Sequence, residues 1–522
     1  MELSTIKLHS MRQIGRAESQ ITLDDDYNVP DYRPDIVKII KEQGELKFDE
    51  IKSALGAVWI KGRLIFRVLY RSDQENGKIS CLKGELPFQE KVNIEGFMEY
   101  DPVQVTGVIE DLTVGVIHSR KLNIRAVAVL KAVSESMQMQ EISDGVVDNE
   151  NCMQLKKEIE VSQLLLVKHD ICRQRNEVIL PSSKPNIREI LWKSVELRNI
   201  GSRLDKEGIH LTGEILLSIL YQEEEELDRA QWYETTLTLD CGTDLGIEHM
   251  ANDTSVFYKI SVGEIGKELE VKPDYDGEER MLVLDLQLHL YIRVWQETKQ
   301  PILLDVYSLK QNLIPNIEKN TFEHLLMKND AVCKVTEQMI LEENQEKILQ
   351  ICSCEGKVHI DEMQQRENGV FAEGMLEVEL VYITTDDQMP VSAVKQLYPF
   401  EQLIELPKAE LPLRIEQECN VIQLSAAIQD QTQAEIKAAI GINILAFTED
   451  EAEFVKEITE EPYNIGELQQ LPGLVGYIVK RGDSLWEIAK KYHTTIQEIM
   501  ETNQKKDENL LAGEKLLIVK NV

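Results

Sequence analysis

Catalysis and metal binding both need particular side chains at particular spacings, and these 522 residues offer few of them. Cys352-Ser-Cys354 places two thiols close enough to grip a soft metal, but no second Cys/His pair stands at a useful distance, so buried strand thiols are the expectation. The nine histidines are scattered, none paired at i, i+4. Glu223–Glu226 could gather cations, yet it follows an apolar run ending at Tyr221 and reads as a solvated hairpin tip. Asn252-Asp-Thr254 is a glycosylation signal only in a secreted eukaryotic chain. Gly-x-Ser-x-Gly, His-Glu-x-x-His, Gly-x4-Gly-Lys-Ser/Thr and Gly-x-Gly-x-x-Gly do not occur. The expectation is a protein that binds rather than catalyses, with no catalytic residue, metal site or cofactor.

The elements that would carry binding surfaces come in three copies. Ile36, Ile39, Gly62 and Tyr70 recur with the same spacings as Ile187, Ile190, Gly213 and Tyr221, and again as Ile348, Ile351, Gly374 and Tyr382. The shifts of 151 and 161 residues suit tandem domains, not solenoid repeats. Within each copy every second residue is apolar: Val58, Ile60, Leu64, Phe66, Val68 and Tyr70 in the first. Period two with one apolar face predicts a long half-buried strand. The glycine inside it marks a bulge, a close approach of another backbone, or a gap in the side-chain face. Pro34 and Pro185 predict a short helix just after them; copy three has Glu346 there. Further strands are expected at 86–94, 103–118 and 122–132. Five or six strands per copy suggest a β-sandwich or open barrel.

The stretches V-P-D-Y-R-P-D-I-V-K-I-I at 29–40, G-R-L-I-F-R-V-L-Y at 62–70, L-P-F at 86–88, Y-P-F at 398–400 and K-L-N-I-R-A-V at 121–127 resemble the SPOCS domain, also called DUF3794, of Firmicute spore-coat proteins. The likeness covers about 28–135, 178–296 and 340–447, and copy one is closest.

The C-terminus has another pattern. Tyr477-Ile-Val-Lys reads as a strand, Gly482-Asp-Ser as a turn and helix cap, Thr494 or Thr495 as the start of a second helix, and Lys515–Val519 as a closing strand. This β-α-α-β order and the residues from 477 to 519 resemble a LysM module, a fold that binds N-acetylglucosamine polymers on cell-wall proteins. The resemblance implies a groove formed by Gly482, Asp483, Ser484 and Leu485 on one side and Leu510, Leu511 and Ala512 on the other. Its ligand is a peptidoglycan or chitin-type glycan, or a protein. Two positions depart from the usual pattern: Gln504 and Lys520 stand where proline is common. Trp486 suits the core as well as a contact.

The expected fold is therefore mainly β: three tandem sandwich- or barrel-like SPOCS domains, then a small α/β LysM domain. The expected boundaries are an N-terminal segment at 1–27, repeats at 28–150, 165–300 and 315–447, an acidic extended tether at 448–475, and LysM at 476–522. The net charge is −35, and residues 476–520 hold eight basic and seven acidic residues, so the body carries the whole excess. Such a surface repels nucleic acid and anionic membrane. No apolar run is long enough to span a bilayer, and Met1–Gln20 does not read as a secretory signal. The eight cysteines lack framework spacing and suit a reducing compartment.

SPOCS units followed by LysM resemble the clostridial spore-coat morphogenetic proteins that act as the Bacillus encasement factor does. The resemblance implies a coat-assembly scaffold in the mother-cell cytoplasm, assembled at the forespore surface. Its partners would be the coat base-layer morphogenetic ATPase and other coat proteins. The rival reading is a peptidoglycan-binding protein of spore cortex or cell wall.

Overall fold

The computed structural model describes residues 1–73, 78–147, 152–224, 230–246, 253–366, 368–386, 388–406, 413–463 and 472–520. Unit one has β1 Leu3–Asn28, β2 Ile36–Ala54, β3 Ala57–Ser72, β4 Ile79–Asn93, β5 Gln104–His118 and β6 Lys121–Val146. Unit two has β7 Cys152–Ile179, β8 Ile187–Asp205, β9 Gly208–Glu223, β10 Ala230–Thr243, β11 Val256–Pro273 and β12 Glu279–Ser308. Unit three has β13 Asn312–Ile340, β14 Ile348–Arg366, β15 Gly369–Thr384, β16 Val391–Glu405, β17 Arg414–Asp430 and β18 Gln433–Glu461. The C-terminal segment runs β19 Leu474–Ile478, α1 Leu485–Lys491, α2 Ile496–Thr502 and β20 Lys515–Val519.

Each unit folds into two antiparallel sheets of three strands, in the orders first-sixth-fifth and second-third-fourth. Their apolar faces meet in a common core: in unit three, Val370, Leu376 and Val378 of β15 pack with Ile436, Ile440 and Ile442 of β18. The alternating residues are the ones buried, for Ile60, Leu64, Phe66, Val68 and Tyr70 have no exposed surface. The fold is mainly β, with a C-terminal βααβ segment consistent with LysM.

The mid-strand glycines are explained by close backbone approach. A Cβ on Gly62 would stand 2.5 Å from the Lys47 carbonyl and 2.7 Å from the Phe88 ring; on Gly374 it would stand 2.3 Å from the His359 carbonyl. The neighbouring strand bulges there, between Phe48 and Glu50 and between Ile360 and Glu362. In unit two the nearest atom is 3.1 Å away, and Leu239 stands where unit one has Phe88.

Four expectations need correction. No helix follows Pro34 or Pro185; both segments are strand. The helix-like spacing of three arises from a bulge between Ile36 and Lys38: Ile36 pairs with Ser72 and Ile39 with Tyr70, so residues three apart on β2 match residues two apart on β3. Residues 1–27 are no separate segment, because β1 pairs with β6 along its whole length. Residues 448–461 are not tether but the far half of β18, paired with β13. Their acidic side chains face solvent while Ala452, Phe454, Val455 and Ile458 are buried. Of the rest of that stretch, 464–471 lie outside the described residues. Finally, Glu223 is not at a solvated tip; it is buried and accepts a hydrogen bond from Gln231 (3.1 Å). Glu225, Glu226 and Asn252 lie outside the described residues.

The long strands decide how the units assemble. Beyond the sandwiches, β1/β6, β7/β12 and β13/β18 continue as two-stranded ribbons. The ribbons bury Ile142, Ile159, Ile302, Phe322 and Phe454 against one another. The Ser143 hydroxyl donates to the Val455 carbonyl across two units. At the other end the second sheets of all three units share a second cluster containing Ile40, Leu191 and Cys352. Those three residues are separated by the same 151 and 161, so the body has pseudo-threefold symmetry.

Against the expectation from a reducing compartment, Cys172 of β7 and Cys241 of β10 form a disulfide between the two sheets of unit two. The other cysteines are free, and burial raises the thiol pKa values of Cys81, Cys152, Cys352 and Cys419 to about 11. A bulge between Ile351 and Ser353 separates the Cys352-Ser-Cys354 thiols: Cys352 joins the axial cluster and Cys354 the unit-three core.

Candidate functional site: the LysM domain and its seat

Capping fixes the small helices. The Ser484 hydroxyl accepts the Glu487 amide (3.1 Å) at the start of α1, and Thr495 and Glu498 form a reciprocal capping box on α2. Asn503 ties α2 to β20, donating to the Leu517 carbonyl and accepting its amide, both at 2.7 Å. Gln504 has φ of 54°, a value the proline ring cannot adopt, so the departure from the usual proline matches the local backbone.

The two turns expected to form the groove are joined at their base, where Val479 donates to the Glu514 carbonyl and Gly513 to the Val479 carbonyl, each 2.8 Å. The seven groove residues then divide. Leu485 is buried and Leu510 half-buried, both packing into the domain core. The Asp483 carboxylate turns inward, accepting from the Lys480 amide (2.8 Å) and the Tyr477 hydroxyl (2.7 Å), which hold its pKa below the usual carboxylate value. Ser484 is committed to its cap. Gly482, Leu511 and Ala512 are exposed, Leu511 to 75%. The rim is thus one glycine turn and an aliphatic loop, shaped for backbone contacts and a small apolar group. A cleft on the same domain lies elsewhere, along α2, lined by Met500, Gln504, Lys505 and Glu508.

The α1 face of the domain is occupied by the body. The Trp486 indole donates to Asp305 Oδ2 (2.7 Å), and Lys490 contacts both carboxylate oxygens of Asp305 at 2.7 and 2.8 Å. The Tyr307 hydroxyl donates to the Thr494 carbonyl (2.9 Å), and its ring meets Trp486 edge-on at 4.8 Å. Burial raises the pKa of Tyr307 well above the ordinary phenol value. Met153, Leu155 and Leu309 extend the apolar contact, and Tyr463 packs edge-on against His493 at 5.0 Å. The seat is the end of the β7/β12 ribbon. Trp486 is therefore both core and contact. Asp305 and Tyr307 carry no local sequence signal, since their partners lie about 180 residues away.

Comparison with known families fits this geometry. The family described as SipL, SPOCS domain, matches residues 35–117 and 347–429, and the LysM domain family matches 477–519. No solved structure matches the chain. Unit two lies outside the matched ranges yet has the same strand order, and its Tyr221 hydroxyl donates to the Pro185 carbonyl as Tyr70 does to Pro34 and Tyr382 to Glu346. Both families are structural or binding modules, and the first implies a role in spore-coat morphogenesis. Among the described residues, no helix is long and apolar enough to cross a membrane. Parts of units one and three are thus similar to the SPOCS domain of the SipL type, and the C-terminal segment is similar to the LysM domain.

Proposed function

We propose that the chain is a non-enzymatic coat-assembly scaffold whose LysM domain docks on the coat base-layer morphogenetic ATPase at the forespore surface, in the mother-cell cytoplasm. One observation carries this reading. The LysM domain is seated on the body by its α1 face, while Gly482, Leu511 and Ala512 are exposed on its rim. A module fixed to a large acidic body and presenting an aliphatic rim, beside the exposed Ile478, Leu517 and Val519 of its strands, suits a recruiting contact. Aliphatic rim residues favour a protein surface over the flat face of a sugar ring, which stacks best on aromatic side chains. Once recruited, further weak contacts of the body with other coat proteins become intramolecular and gain avidity.

The test uses the full-length chain and a Leu511→Glu/Ala512→Glu variant, which changes only exposed residues. Each is measured for binding to the base-layer ATPase and to a chitin oligomer or peptidoglycan. ATPase binding by the wild type, reduced about tenfold or more in the variant, supports the reading, since a rim contact of ~1.4 kcal/mol is worth that factor. Binding to glycan and not to the ATPase would overturn it and place the protein at cortex or wall.

A further inference from the structure

Around the pseudo-threefold axis the three units are nearly interchangeable. Ile40, Leu191 and Cys352 are equivalent positions, as are Leu69, Leu220 and Val381, and all six share one buried cluster. Medium-sized apolar side chains of this kind pack against one another in any order. They give the units affinity but no identity.

The next residue along β2, β8 and β14 breaks the symmetry: it is Lys41, Trp192 and Ser353 in turn. Lys41 is 2% exposed. Its ammonium group reaches Glu355 at 2.9 Å and Glu379 at 3.0 Å, both in unit three, and stands 5.3 Å from the ring centre of Trp192 in unit two. One side chain thus touches both other units.

Its partners are unique to unit three. By the same shifts, Glu355 and Glu379 correspond to Ser194 and Ser218 in unit two, and to Gln43 and Arg67 in unit one. Set against a unit two in that place, Lys41 would be buried without an anion. Set against another unit one, it would meet an arginine. Either arrangement leaves a buried charge uncompensated, which is strongly destabilising. Burial opposes the charge on Lys41, yet Glu379 and Glu355 outweigh it and raise its pKa.

We infer that the axial face of each unit is a SPOCS–SPOCS docking surface, and that Lys41 with Glu355 and Glu379 sets the order of units around it and excludes units of a second copy of this chain. The units are joined by short connections, from Val146 to Cys152 and from Ser308 to Asn312. Alike domains on short hinges are prone to exchange between molecules. The ion pair counters that hazard. Its consequence is that the axial faces are satisfied within one molecule, leaving the remaining exposed surface and the LysM rim for other coat components.

The test uses the full-length chain in two differently tagged forms, measuring mass by light scattering over a concentration series and co-purification of the tags. The wild type is expected at single-chain mass, with tags remaining separate. K41E is expected to gain mass with concentration and to mix tags about tenfold more, by the loss of one tenfold-weighted contact. The swap K41E/E355K/E379K reverses every charge across the same contact and is expected to return to single-chain mass. Should K41E fail to fold, K41M/E355Q/E379Q, which buries no lone charge, decides the matter: a folded protein that mixes tags supports the inference. A wild type that mixes tags, a folded neutral variant that stays separate, or a folded K41E that the swap does not restore would each overturn it.

Discussion

The tyrosine that ends the repeated strand shows how one side chain can be needed for its hydroxyl alone. Tyr70, Tyr221 and Tyr382 are fully buried, and each donates to the carbonyl 36 residues earlier, at 3.1, 3.2 and 3.0 Å. The acceptor is backbone, which is why Glu346 can replace the proline of the other two units without loss. Tyr70→Phe leaves the Pro34 carbonyl without this donor and is expected to cost ~1–2 kcal/mol, read as a lower denaturation midpoint of the full chain. Burial pushes Tyr70 and Tyr221 up to about 12. The folded state therefore holds the phenol proton more tightly than the unfolded state. Their stabilisation is complete below about pH 10, the unfolded value, and is lost as the pH rises through about 12. Carboxylates at the contact of units two and three work in opposite directions. Glu418 is raised to about 7, chiefly by burial. Its contribution is present below the unfolded value near 4.5 and is lost as pH rises through 7. Glu416 is depressed to about 2 because Lys259, Arg293 and Arg414 outweigh its burial, so its contribution is present above 4.5 and lost as pH falls through 2. Glu418→Gln is accordingly expected to stabilise the chain at pH 8 by ~1–3 kcal/mol and to leave it unchanged at pH 4, checked by thermal unfolding at both values.

At the scale of elements, the strands were legible where one face is buried and obscure where they are edges. β3 reads clearly because alternate residues enter the core. β1 does not, since it is an edge strand whose side chains are nearly all exposed or half-exposed, so few of them are required to be apolar. The far half of β18 misled for a related reason: its solvent face is nearly all Glu and Asp, and charge density conceals the spacing of Phe454, Val455 and Ile458. Glycine positions turn this difference into numbers. Gly62→Ala and Gly374→Ala drive a Cβ into a carbonyl oxygen and are expected to cost ~1–3 kcal/mol. Gly213→Ala, with 3.1 Å to its nearest neighbour, is expected to cost less than either. Thermal unfolding of the three variants ranks them, and equal losses would contradict the close-approach explanation.

For the whole molecule, the decisive contact is the seat of the LysM domain. Asp305 is the single carboxylate that takes both the Trp486 indole and the Lys490 ammonium. Asp305→Ala leaves the largely buried indole N–H without that acceptor and is expected to weaken docking by ~1–3 kcal/mol. The domain keeps its own core, so the expected result is faster proteolysis between residues 461 and 474 with both fragments intact. Cleavage at the wild-type rate would show that the apolar contact with Tyr307, Met153 and Leu155 suffices.

The sequence by itself determined what depends on near neighbours: the threefold repeat, the alternating strands, the helix caps to within Asp483 or Ser484 and Thr494 or Thr495, and the turn at Gly482. Each is set by backbone preferences or by side chains a few positions apart. The tertiary structure decided everything that joins distant residues. It set the inward turn of Asp483, the ribbons that replace an N-terminal segment and much of a tether, the seat on Asp305, and Lys41 facing residues more than 300 positions away. Those contacts are chosen by how three similar surfaces close around one axis, and no local pattern records which surface meets which.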